Sequence, residues 1–173
     1  MDHSYSRLKE VLLFFKRKSL LTLYSLLFIL SSSTFAQAPT WVTGTPSIIS
    51  TGPLTITVGY GINTTGRIFI AILGNVTTTN YDGPTIRNIV VNGFGTGWVN
   101  RTIIPVTAGN VGSVLQSVLD VPTANKTYTV FIVAENSSGV IQAMSMRFYA
   151  TTSPCPKIDI LTGFTQTQLC VNK

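Results

Sequence analysis

The chain of 173 residues has one histidine, two cysteines and six acidic residues, and its first 38 residues contain neither glycine nor proline. The histidine is His3, inside an amino-terminal segment with the features of an export signal. His-based triads and His metal sites therefore have nothing to use in the exported chain. Asp2 and Glu10 fall in the same segment, which leaves Asp82, Asp120, Glu135 and Asp159. No two of these are close in sequence, and each sits in an expected turn or tail. Turn chemistry accounts for them better than a glycosidase pair does. No calcium-loop spacing of Asp and Asn occurs. Gly93-Phe94-Gly95-Thr96-Gly97 is followed by no Lys and is not expected to open a helix, so it is not a phosphate loop. The expectation is a non-enzyme with no cofactor and no metal.

Residues 1–36 read as a signal peptide. Arg7, Lys9, Lys16, Arg17 and Lys18 form a basic region, Leu20 to Leu30 an apolar one, and Ser31 to Ala38 a stretch of mostly small residues. Cleavage is expected after Ala36, because a cut after Ala38 would set Pro39 against the scissile bond. The apolar run is shorter than the ~20 residues of a membrane-spanning helix. No Cys lies near the cut, which argues against a lipid anchor. Seven Lys and Arg and four carboxylates remain beyond Ala36, a net charge of seven minus four, or +3. The seven cations are scattered singly, so nucleic acid is not an expected partner. The expected location is secreted, periplasmic or cell-surface.

The remainder reads as strands. Pro39 to Ser50 suits an edge strand bent at Pro46. Leu54, Ile56, Val58 and Tyr60 alternate with Thr55, Thr57 and Gly59, the period of a half-buried strand. Arg67 to Leu73 is apolar on both faces and so suits a central strand. A polar connection leads to Pro84, then a short strand over Thr85 to Val91. A glycine-rich loop carrying Phe94 and Trp98 comes next, then a strand over Val99 to Val106. Val111 to Val121 fits either a helical turn followed by a strand or a sixth strand, and the first is preferred. Tyr128 to Tyr149 organises the whole. It reads as two antiparallel strands around a turn at Glu135-Asn136-Ser137-Ser138-Gly139, with Tyr128 placed to form a tyrosine corner. The fold class expected is all-β, an antiparallel sandwich of about seven strands.

Residues 39–152 resemble a fibronectin type III-like, immunoglobulin-like module of bacterial secreted proteins. Leu54-Thr55-Ile56-Thr57-Val58, Leu119 and Pro122, and Tyr128-Thr129-Val130-Phe131-Ile132-Val133-Ala134-Glu135-Asn136 with Gly139 carry the resemblance. The second strand lacks the usual Trp, with Tyr60 nearby instead, the connection from Pro122 to Tyr128 is long, and the segment with Phe94 and Trp98 looks inserted. The resemblance implies a binding or spacer module and transfers no catalytic residue.

Cys155 and Cys170 lie after the last strand. In an exported chain an even pair reads as a disulfide. It would close a loop of about 15 residues, worth ~3 kcal/mol in the chain-entropy view. Residues 153–173 read either as a tail folded back on the sandwich or as the start of a further module. If Ile68, Ile70 and Ile72 face inward with Tyr128, Val130 and Ile132, then Phe69, Leu73, Phe131 and Val133 form an apolar stripe. Such a stripe needs a cover: a partner, a neighbouring module, or the tail with Ile158, Leu161 and Phe164. Trp98 and Phe94 are candidate sugar-stacking aromatics, with Trp98 as end-of-sandwich core the competing reading. Five Asn-x-Ser/Thr triplets, at Asn63, Asn75, Asn100, Asn125 and Asn136, are what a Thr-rich chain produces by chance. The function expected is an exported, non-enzymatic interaction or spacer module whose partner is a protein or a cell-surface glycan. The alternative is a carbohydrate-binding module.

Overall fold

The computed structural model describes residues 36–93 and 95–156. Residues 1–35 of the expected signal peptide, Phe94 and Cys170 lie outside those residues. The chain divides into two units between Ala36 and Gln37. Among the described residues the second unit holds seven strands and one α-helix. The strands are β1 (Ser47–Thr51), β2 (Thr55–Tyr60), β3 (Gly66–Leu73), β4 (Trp98–Val106), β5 (Leu115–Asp120), β6 (Thr127–Asn136) and β7 (Met146–Thr151), and α1 spans Gly83–Asn92 between β3 and β4. One sheet has the order β1-β2-β5 and the other β4-β3-β6-β7, and all pairings within them are antiparallel. This is a two-sheet antiparallel sandwich.

The period-two pattern explains the core. Ile56 and Val58 of β2, Ile68, Ile70 and Ile72 of β3, and Tyr128, Val130 and Ile132 of β6 all face the space between the sheets and are buried. The tyrosine corner is present. The Tyr128 hydroxyl donates to the Thr123 carbonyl at 2.8 Å and accepts from the Thr123 N–H at 3.0 Å. It ties the β5–β6 crossing to the core, so a fully buried Tyr keeps its polar atom satisfied.

Several expected elements change. Thr85 to Val91 is helix, not strand. Asp82 caps the helix, its carboxylate accepting from the Thr85 N–H at 2.8 Å, and Pro84 lies in the first turn. Gly93 ends it at φ 75°, where only Gly avoids strain, and its N–H bonds the Ile89 carbonyl. Ile86, Ile89 and Val90 pack on the sheet at helical spacing. The helical turn expected within 111–121 is absent. A single 3₁₀ turn lies earlier, at Ala108–Asn110, and Leu115–Asp120 is a strand because it pairs along all of β2. The first strand begins only at Ser47, although Trp41 makes an isolated bridge to Ile62. The last begins at Met146 rather than near Gln142. The Gln142 side chain is held instead, donating to the Pro39 carbonyl and accepting from the Ala134 N–H.

Candidate functional site

The outer face of the four-stranded sheet is where the chain departs from a plain sandwich. In register, β3 places Arg67, Phe69, Ala71 and Leu73 on that face, opposite Glu135, Val133, Phe131 and Thr129 of β6. A bare face of this composition would be an apolar patch. The chain covers it with its own insertion, residues 74–92.

The first part of the insertion is a strap. Its backbone leaves β3 and crosses β6, where the buried Thr129 hydroxyl donates to the Asn75 carbonyl and accepts from the Thr77 N–H. It then reaches β7, where the Tyr149 hydroxyl donates to the Thr77 carbonyl and the Arg147 guanidinium donates to the Thr78 and Thr79 carbonyls. The run of Thr77, Thr78 and Thr79, which read as a polar connection, thus offers its carbonyls to β7. At the turn into α1, the Ser145 N–H and hydroxyl both donate to the Tyr81 carbonyl.

The second part is α1. Its start lies against the chain that leaves β6: the Gly83 N–H donates to the Ala143 carbonyl at 2.9 Å. A Cβ on Gly83 would penetrate the Gln142 carbonyl oxygen, so backbone proximity rather than φ requires the glycine here. Its end is held by Arg101 of β4, which donates to the Ile89 carbonyl at 3.3 Å, a cation at the negative end of the helix. In between, Arg87 reaches Glu135. That carboxylate is 1 % exposed and takes Arg67 on one oxygen at 2.5 Å and Arg87 on the other at 2.7 Å. Both arginine side chains are about half exposed, at 51 % and 49 %, so the buried charge is paired while the cations keep water. Asp82 is the opposite case. It is exposed, and the hydrogen bonds from Thr85 hold its carboxyl below the ordinary value.

Of the residues predicted from sequence, Phe69, Leu73, Phe131 and Val133 do face away from the main core, but they are buried under α1 with Ile86 and Ile89. The expectation that an outside partner or the tail must cover this stripe is corrected: the cover comes from the β3–β4 connection. Trp98 is partly buried and stands edge-on to Phe131 (5.8 Å between centroids) and Tyr81 (5.9 Å), at the end of the same cluster. Ala36 is exposed, immediately before the sandwich unit. Cys155 lies in the exit segment, and its expected partner Cys170 is outside the described residues.

Sequence reasoning missed the Arg67–Glu135–Arg87 group, because Glu135 read as a turn residue. Its signal was indirect. Asp82, Pro84 and Gly93 delimit a helix, and a helix there needs an anchor on the apolar stripe. Among the described residues no cluster of His, Cys, Asp or Glu could hold a metal ion. Clefts open to solvent among the described residues include two of moderate size. One, of about 540 Å³, lies between the free edges of β4 and β5 and is lined by Ile104, Pro105, Leu115 and Gln116 among others. The other, of about 470 Å³, lies beside the Trp98 loop and includes Asn75, Thr96 and Lys126. Compared with known proteins, the chain matches no family model and no curated protein.

Proposed function

We propose that the chain beyond Ala36 is an exported, non-enzymatic interaction or spacer module of the fibronectin type III-like kind. The observation that carries this reading is where the chain enters and leaves. Residues 37–40 are held at the end of β6 that carries Asn136: Asn136 donates to the Gln37 carbonyl at 2.7 Å, and the Thr40 N–H donates to Asn63 at 2.9 Å. Residues 152–153 are held at the other end of β6: the Thr152 N–H donates to Lys126 and the Ser153 N–H to Gly52. The β6 strand has ten residues, so entry and exit stand roughly 30 Å apart. With cleavage after Ala36, Gln37 is the free amino terminus, and the domain holds it roughly 30 Å from the exit at Ser153, as a terminal spacer does.

The strand order supports the finer fold. The fourth strand pairs with β3 rather than with the sheet of β1 and β2, unlike the constant-type immunoglobulin arrangement. The described carboxylates have structural surroundings that fit a non-enzyme: Asp82 caps a helix, Glu135 binds two arginines, and Asp120 sits alone on an edge strand. Export rests on the basic, apolar and small-residue order of residues 1–36. The partner on this reading is a protein or a cell-surface glycan.

One observation favours the alternative, a carbohydrate-binding module: the open cleft beside the Trp98 loop, with Asn75, Thr96 and Lys126 as polar groups. Two measurements separate the readings. With a rigid reporter fused at each end, small-angle scattering should show the reporters on opposite sides of the domain, and reporters lying side by side would refute the spacer. On a glycan array the protein should bind nothing through Trp98. Retention that Trp98→Ala abolishes without lowering the unfolding midpoint would establish the alternative.

A further inference from the structure

A sandwich with two open sheets has four edge strands, and an unprotected edge is a template for pairing. Three of the edges carry protection. β1 is broken by a bulge between Ile48 and Ser50 and preceded by Pro46. β4 contains Pro105, which removes a donor from its edge. β7 carries Arg147 and lies under the strap. β5, Leu115-Gln116-Ser117-Val118-Leu119-Asp120, has no proline, no bulge and no cation.

The ladder fixes which groups of β5 are open. The Val121 N–H bonds the Leu54 carbonyl, so Leu54 and Val121 form a hydrogen-bonded pair. Alternation along an antiparallel ladder then makes Thr55–Asp120, Thr57–Val118 and Gly59–Gln116 the non-bonded pairs. The N–H and C=O groups of Gln116, Val118 and Asp120 therefore point away from β2, toward the free edge. The Asn100 side chain of β4, reaching the Asp120 carbonyl at 2.9 Å, approaches from that side and confirms the direction. Val118 sits at the centre of these open positions and is 64 % exposed, the most exposed large apolar residue described.

We propose that the free edge of β5 pairs antiparallel with β5 of a second copy of this chain, about a two-fold axis at Val118. That register sets Val118 against its own copy and Gln116 against Asp120 of the copy. The two valines then cover each other on the outer face. The Gln116 amide faces the Asp120 carboxylate, and no like charges oppose. The Asp120 carbonyl keeps a second lone pair beside its Asn100 bond, so the outer rung can close as well. The result is an isologous pair with one continuous six-stranded sheet. The inference rests on the fold alone and stands or falls independently of the spacer reading.

Sedimentation equilibrium of the protein purified from its own cells tests it, together with Val118→Lys, Gln116→Pro and the control Ile103→Lys on β4. The expected result is a mass that rises from one copy to two with concentration for the wild type and the control. Val118→Lys sets two cations together, and Gln116→Pro removes an N–H that β2 does not use, so both should stay at one copy with near-native unfolding midpoints. If either variant unfolds, amide exchange on the wild type decides: protection of the Val118 and Gln116 N–H groups should grow with protein concentration. A wild type that stays at one copy, growth beyond two copies, dimers of both variants as strong as the wild type's, or concentration-independent exchange would each overturn the proposal.

Discussion

Replacing Tyr128 by Phe isolates the tyrosine corner, because the ring keeps its place and only the hydroxyl goes. The ring is fully buried between the sheets, so no apolar contact is lost. Two hydrogen bonds disappear, one donated to the Thr123 carbonyl and one accepted from its N–H. The groups left behind are not wholly without partners. Thr123 is exposed, and its carbonyl still accepts from the Thr152 hydroxyl at 3.1 Å. Water and Thr152 then limit the loss to the net rather than the full desolvation value for each bond, about 1–2 kcal/mol together. For a domain of this size that lowers the thermal midpoint by roughly 4–8 °C. Thermal and urea unfolding followed by circular dichroism measure it, and the urea slope should stay constant. Tyr149→Phe is the control. Its hydroxyl donates to the Thr77 carbonyl from a half-exposed ring, and its loss should move stability by under about 0.5 kcal/mol. Equal effects for the two variants, or none for Tyr128→Phe, would refute the assignment of the corner as a structural tie.

Gly83→Ala drives a Cβ into the Gln142 carbonyl and should lift the start of α1, giving new binding of an apolar-surface dye to the stripe of Phe69, Leu73, Phe131 and Val133; unchanged fluorescence would show that the strap alone covers it. Asp82→Asn removes a carboxylate whose folded pKa is lowered by the Thr85 bonds. A lowered folded pKa contributes stability above the unfolded value of 3.8 and loses it as pH falls through the folded one, so the wild type should lose its advantage over the variant in that acid window; a difference independent of pH there would contradict the cap. If the chain is exported as proposed, amino-terminal sequencing should begin at Gln37 and non-reducing peptide mapping should link the Cys155 and Cys170 peptides, while an intact Met1 would reject the cleavage and two alkylatable thiols the disulfide.

Much of the sandwich was legible because its strands satisfy local physics and tertiary demand at once. β2, β3 and β6 keep the period of two or the continuous apolar run that a half-buried or central strand needs, and Tyr128 announces its own corner. Thr85 to Val91 shows what happens when signals conflict. β-branched Thr85, Ile86, Ile89, Val90 and Val91 favour a strand, while Asp82, Pro84 and Gly93 mark a helix start and stop. The helix wins because Ile86, Ile89 and Val90 at spacings of three and one meet the outer stripe on one face. β5 went the other way. Val111, Val114, Leu115, Val118 and Leu119 have helical spacing, but pairing with β2 satisfies every backbone group on that side and buries Leu119.

Residue order alone sets the class of fold, the two-sided apolar character of β3 and β6, and the need for a cover on Phe69, Leu73, Phe131 and Val133. These properties rest on side-chain alternation and the cost of wetting apolar surface, and both can be read locally. The folded arrangement was needed to show what the cover is. It was needed equally to show that Glu135 is the buried anchor of two arginines 68 and 48 positions away in sequence, and which of the four edges has no proline, bulge or cation. Those outcomes depend on which backbone groups and charges the folded chain brings together across long sequence separations, and no local pattern encodes that.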